Sequence, residues 1–372
     1  MWTASWTARR PAGERAARGG SGRSGELTAE QTESADSSAS QPGGTSGGVA
    51  ASGKSSRGWM RWAKLAFNLI VFALVVAGIG HTVRKSLDQF RAHSFSLAEL
   101  DLKWLTLAGV LYLVGSLPGW WFWHRVIEAM GQHPRKWDSL RAFYIGHLGK
   151  YVPGKAMVVI LRAVLVRSPR VDTAIASAAV FVETLTTMAV GAIVGGVLAI
   201  LLYRDEPRLV LLAILLLFGA GIPALPPVFR RAVLILRIHK ASPLIEPALA
   251  GLRFPLMSRG WATIAVSWLL LGLSLWATLL AMPQRKPDAP LADVVQMLPL
   301  MTTCTALAMV AGFVSMIPGG VGVRELVVMT LLAPVFGEAT AVVSAILLRF
   351  VWLIAELVMS AILYLVPRRP PA

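Results

Sequence analysis

The chain has one cysteine in 372 residues, Cys304, so neither an intrachain disulfide nor a cysteine-based metal site can be built. Charge is also scarce. Asp, Glu, Lys and Arg make up 15% of the residues, against roughly 25% in an ordinary soluble domain, and a surface facing water on every side cannot be made from so little. Acidic residues number 20 against 36 Lys and Arg, and they are sparse within the apolar runs. That excludes the clustered carboxylates on which metal-dependent transfer to lipid phosphates normally depends, and no metal or cofactor is expected. No P-loop occurs, so a nucleotide-driven mechanism of that kind is excluded. No apolar run lies between Thr3 and Ala51, so there is no secretory h-region, and the first apolar helix is expected to be an uncleaved anchor.

What is present is apolar sequence, 55% of the chain, recurring throughout everything after Trp59. A bilayer core of about 30 Å needs roughly 20 such residues as a helix, because lipid cannot satisfy an open backbone. Spans are predicted near Leu65 to Val83, Leu105 to Trp123, Thr173 to Tyr203, Leu209 to Val228, Trp261 to Met282, Val294 to Met316 and Ala339 to Val366. Two shorter apolar pieces remain. Ser139 to Val166 is broken by Pro153 and Gly154, and Val321 to Phe336 is only 16 residues long. Both read as re-entrant or discontinuous helices. The fold expected is therefore an all-α polytopic membrane protein with about 7–8 transmembrane helices and two such segments. Residues 1–58 form a tail too poor in apolar residues to offset the entropy of ordering and are expected to be disordered, residues 59–367 form the membrane domain, and 368–372 a short tail.

The net charge of +16 would point to nucleic acid in a soluble protein, but the basic residues fall mostly in short loops, where a membrane surface is the partner. Arg125, Arg135, Lys136, Arg141, Arg167, Arg170, Arg230, Arg231, Arg237, Lys240, Arg253 and Arg259 fall on one side. Lysine and arginine mark the cytoplasmic side, so the amino terminus is expected there, in a multi-pass protein of the cell membrane. Trp120, Trp121, Trp123, Trp137, Trp261 and Trp352 suit interfacial anchoring. Gly191 and Gly195 suit close helix packing.

Chemistry concentrates in two segments. In the first, His147-Leu-Gly-Lys150-Tyr-Val-Pro153-Gly154-Lys155 interrupts an apolar stretch, with Arg162 downstream. Lys155 and Arg162 are seven apart and share a helix face, from which both could reach one phosphate beside a helix amino terminus. A cytoplasmic loop with snorkelling side chains is the plainer alternative. In the second, Pro318-Gly319-Gly320-Val321-Gly322-Val323-Arg324-Glu325 opens a new helix whose free N–H groups, with Arg324, would attract an anion; a structural turn with a local ion pair is its alternative. Two Pro-Gly elements in corresponding places suggest an internal pseudo-repeat, with a binding site at its interface. Glu183, Arg349 and Glu356 also lie within apolar runs. Arg349 and Glu356, seven apart, could pair with each other, while Glu183 and Glu356 are candidates for coupling. Lys150, Lys155, Arg162, Arg324 and Arg349 outnumber Glu183, Glu325 and Glu356 by two, an excess that an anionic substrate would fill.

At Gly149 to Lys155 with Arg162, at Pro318 to Glu325, and at Arg349 in the following span, the sequence resembles the flippase-like family related to the transmembrane region of lysylphosphatidylglycerol synthases, found in bacteria and archaea. The stretch after Glu183 departs from the family pattern, with Thr184 and Thr187 where an Arg and an Asp are common. The resemblance implies a multi-pass bundle with paired re-entrant helices that moves a phospholipid or polyprenyl-phosphate-linked lipid between leaflets. The full synthases add a soluble aminoacyl-transferase domain, and since this chain ends at Ala372, aminoacylation is expected to be absent. The expected partner is an anionic membrane lipid, with proteins of envelope synthesis as further candidates. The alternatives are a membrane enzyme of lipid or polyprenyl-phosphate glycan metabolism, with Glu325 as base, and an accessory scaffold.

Overall fold

A computed structural model describes residues 100–152, 156–221, 245–282, 294–315, 320 and 322–366. Within them the chain is helical: α1 (Leu102–Ala129), α2 (Lys136–His147), α3 (Ala156–Val166), α4 (Thr173–Leu202), α5 (Pro207–Gly221), the short α6 (Ile245–Leu249), α7 (Phe254–Leu280), α8 (Val294–Val314), α9 (Val323–Phe336) and α10 (Glu338–Leu365). A 3₁₀ turn over Leu148–Tyr151 follows α2. Among the described residues no β-structure forms beyond one isolated bridge, Ser168 with Val171.

Five helices, α1, α4, α7, α8 and α10, are long and apolar enough to cross a membrane. Each coincides with a predicted span, extending the first to 28 residues and starting the α7 span seven residues earlier, at Phe254. The predicted span Leu65 to Val83 lies outside the described residues, as do the tails and the end of the Leu209 to Val228 run. The two short pieces are short helices here: α2, its 3₁₀ turn and α3 from one, α9 from the other.

Helix starts follow local chemistry. Asp101 caps α1 by accepting from the Lys103 N–H at 2.9 Å. Asp172 caps α4, accepting from Ala174 N–H at 2.8 Å and Ile175 N–H at 3.1 Å. Each satisfies donors that a helix end leaves open. Gly337 joins α9 to α10 as the only residue between them, at φ 84°, a left-handed conformation that favours glycine.

Between the spans, small residues and hydroxyls set the spacing, as expected where lipid supplies no hydrophobic drive for helix association. Ser267 of α7 donates to the Gly115 carbonyl of α1, and Ser274 to that of Ala108 at 2.8 Å. Gly191 of α4 lies against the Trp268 ring, whose Nε1–H donates to Thr187 O at 3.2 Å. At Gly195 a Cβ would come 2.9 Å from Ala306 Cβ of α8, so the glycine pair does serve helix contact. Outward rows such as Val110, Leu211, Leu215, Phe218, Ile354 and Val358 are exposed, as suits a surface solvated by lipid.

Two tryptophans depart from the anchoring expectation. Trp123 is fully buried, and Trp352 is buried in mid-helix, where its Nε1–H donates to Ser274 Oγ at 3.0 Å and its ring stacks on Tyr112 with centroids 4.7 Å apart. Both are packing residues of the bundle. Arg141, assigned above to a basic loop, is also buried; it donates to the carbonyls of Tyr364 and Val366, each at 3.2 Å, and so closes the carboxyl end of α10.

Candidate functional site

A cavity of about 50 Å³ lies where four parts of the chain meet. The 3₁₀ turn supplies Lys150 and Tyr151; α8 supplies Thr305 and Met309; α9 supplies Arg324 and Glu325; α10 supplies Arg349 and Trp352. The two segments singled out in the sequence, some 170 residues apart, thus converge on one space.

Gly312 of α8 and Gly320 of the turn before α9 bracket the Arg324 side chain; a Cβ on either would come 2.7 Å from its Nε. Gly320 has φ 65° and Gly322 φ 89°, so the glycines provide both the turn and the clearance. Glu325 completes the helix start: its Oε2 accepts from the Gly322 N–H at 2.7 Å while its Oε1 accepts from Arg349 Nη1 at 2.5 Å. With both oxygens engaged by donors, Glu325 caps α9 and holds Arg349. Of the two pairings open to Glu325, with Arg324 or with another cation, the structure shows the second, with Arg349.

Lys150 pairs with Glu356. Glu356 is 1% exposed and accepts also from Tyr112 Oη, and from Tyr151 Oη at 3.1 Å. The expected Arg349–Glu356 pair is therefore replaced by two pairs between segments: Arg349 with Glu325 of α9, and Glu356 with Lys150. Seven residues rise about 10.5 Å along a helix, too far for two side chains on one face to meet readily.

Arg162 is also placed differently from its expectation. It does not line the cavity but is 2% exposed, donating from Nη1 to Glu183 Oε2 at 2.7 Å, with its guanidinium 4.1 Å from the Phe143 ring centroid. Glu183 is 5% exposed and accepts further from Thr187 Oγ1 at 3.2 Å and Thr184 Oγ1 at 3.4 Å. The two threonines that depart from the family pattern thus solvate this carboxylate. Their geometry makes Arg162–Glu183 a neutral, buried clamp between α3 and α4. Pro153, Gly154, Lys155, Pro318 and Gly319 lie outside the described residues.

Of the four described cations singled out in the sequence for the site, Lys150, Arg162 and Arg349 are matched by carboxylates, and Arg324 is not. Among the described residues it has no ion-pair partner, and its Nε is buried without a hydrogen-bond partner. Lys150, Arg324 and Arg349 against Glu325 and Glu356 leave the cluster with one positive charge. Sequence reasoning missed Tyr112, Tyr151, Thr305, Gly312 and Trp352; of these only Tyr151, inside the first motif, carried a signal. No group of three or more His, Cys, Asp or Glu able to hold a metal occurs among the described residues.

No curated protein matches the chain. The family model for the lysylphosphatidylglycerol synthase TM region matches residues 61–359, which takes in every cavity residue named above, and the chain belongs to that family.

Proposed function

We propose that this chain is a flippase-like membrane protein that takes the phosphate of an anionic lipid into the cavity and lets the head group pass between leaflets while the acyl chains stay in the bilayer. The observation that carries the reading is Arg324, a guanidinium at the cavity with no ion-pair partner among the described residues, while the other charges of the cluster are matched. An intramembrane charge is costly and is kept where it meets a ligand or a counter-charge. The amino-terminal end of α9 adds a partial positive charge beside it. At 10–15 Å³ per water-sized sphere, 50 Å³ is room for roughly four waters, the scale of a phosphate group. In this reading the α2–α3 pair and α9 are re-entrant pieces of a fold with seven or eight crossings, in the cell membrane, with a cytoplasmic amino terminus.

The test is leaflet translocation in proteoliposomes, with a panel of labelled anionic phospholipids and a polyprenyl phosphate, comparing native protein with Arg324→Ala. Charge-assisted hydrogen bonds of about 1.5–3 kcal/mol predict a roughly ten- to hundred-fold loss for the lipid that is moved. Equal rates in the two proteins would remove Arg324 from the transport site.

A further inference from the structure

Glu356 is not at the cavity wall, yet three donors converge on it, and two of them, Lys150 and Tyr151, are. We propose that Glu356 is an internal counter-anion that holds Lys150 in reserve, so that an entering anion competes with it for the ammonium and the grip of the site stays weak enough for release. The inference rests on reading the cavity as a phosphate site.

The two cations differ in freedom. Arg324 is wedged between Gly312 and Gly320 and offers a fixed fork. Lys150 carries its ammonium on a flexible stem, 5.2 Å from the Tyr151 ring centroid and 5.8 Å from that of Tyr112, with the Tyr112 hydroxyl 3.4 Å away. Should Lys150 turn toward an anion, Glu356 keeps the hydroxyls of Tyr112 and Tyr151. The exchange then costs Glu356 one of its three bonds, and Lys150 its long bond to the Tyr112 hydroxyl, and does not leave a bare buried carboxylate. Tyr112 comes from α1, Lys150 and Tyr151 from the 3₁₀ turn, and Glu356 from α10, so the network spans three elements around the cavity.

The charge balance gives the direction of the effect. With Glu356 ionised the cluster carries one excess positive charge; without it, two. A site that must let its ligand leave is served by the smaller excess. In Glu356→Gln the charge that holds the Lys150 ammonium is gone; Tyr112 and Lys150 share Oε1, so a neutral amide oxygen left there is also claimed by the Tyr112 hydroxyl, and the ammonium is freed toward the cavity.

The experiment is equilibrium and dissociation measurement of a short-chain anionic phospholipid with a fluorescent tail on the purified full chain. Glu356→Gln is expected to bind about tenfold tighter or more, through slower dissociation, as one unit charge removed from a partly desolvated site predicts. Lys150→Met/Glu356→Gln, which removes both charges, is expected to lose that gain. Tyr112→Phe, outside the cavity, strips one donor from Glu356 and is expected to weaken binding, which keeps the test open if Glu356→Gln does not fold. Unchanged or weaker binding by a folded Glu356→Gln overturns the proposal, as does tightening that persists in the double variant. No binding by native protein and Glu356→Gln alike overturns the phosphate-site reading, and the proposal with it.

Discussion

Removing either member of the Arg162–Glu183 pair tests whether it is the clamp its surroundings describe. Both groups are almost fully enclosed, and the guanidinium is further held against Phe143. Deleting one charge leaves the other buried without a counter-charge, a loss of about 3–5 kcal/mol. Glu183→Gln keeps an acceptor and the volume, so it is expected at the lower end; Glu183→Ala and Arg162→Leu at the upper. Replacing both with apolar residues, as Arg162→Met/Glu183→Leu, leaves no orphaned charge and is expected to cost less than either charge-deleting single variant. The assay is thermal and denaturant unfolding of purified protein in detergent. Anion binding by the double variant should stay near native, because Arg162 does not line the cavity. Two results would refute the reasoning: single variants that lose less than about 1 kcal/mol, or a stable double variant that no longer binds the anion.

Two further predictions come from the cavity's frame. Gly320→Ala forces a side chain into a left-handed turn and against Arg324 Nε, so it is expected to abolish anion binding; binding within threefold of native would contradict the bracketed placement of Arg324. Arg141→Met removes two donors from the carbonyls that end α10, at about 1 kcal/mol or somewhat more each, and should raise amide hydrogen exchange over residues 362–366 while leaving the rest of α10 protected.

Much of the architecture was legible because lipid imposes a length and a composition. The stretch Thr173 to Tyr203 could be read as one helix, and α4 ends within a residue of it. The charges of the two motif segments were legible as unusual, since charges beside glycines in apolar sequence stand out, and Lys150, Arg324 and Arg349 line one cavity. Which charge meets which was not legible. Arg349 and Glu356 share a helix face on paper, yet each finds its partner on another segment, because the choice depends on how elements pack in space. Trp352 shows the same limit: its aromatic bulk suits an interface, but Tyr112 and Ser274 draw it into the bundle. Tyr112 itself gave no signal, as a lone tyrosine in a span reads as packing.

The sequence distances across these pairs bear on how the chain is made. Arg162 and Glu183 are 21 residues apart and can meet as soon as α3 and α4 have been inserted. Lys150 and Glu356 are separated by 206. Lys150 is therefore synthesised long before its carboxylate, and the pair can form only once α10 arrives. α10 also carries Arg349, the partner of Glu325. The charges of this cluster are thus matched only once α10 is in place: a chain stopped before it leaves Lys150 and Glu325 without the counter-charges they have here.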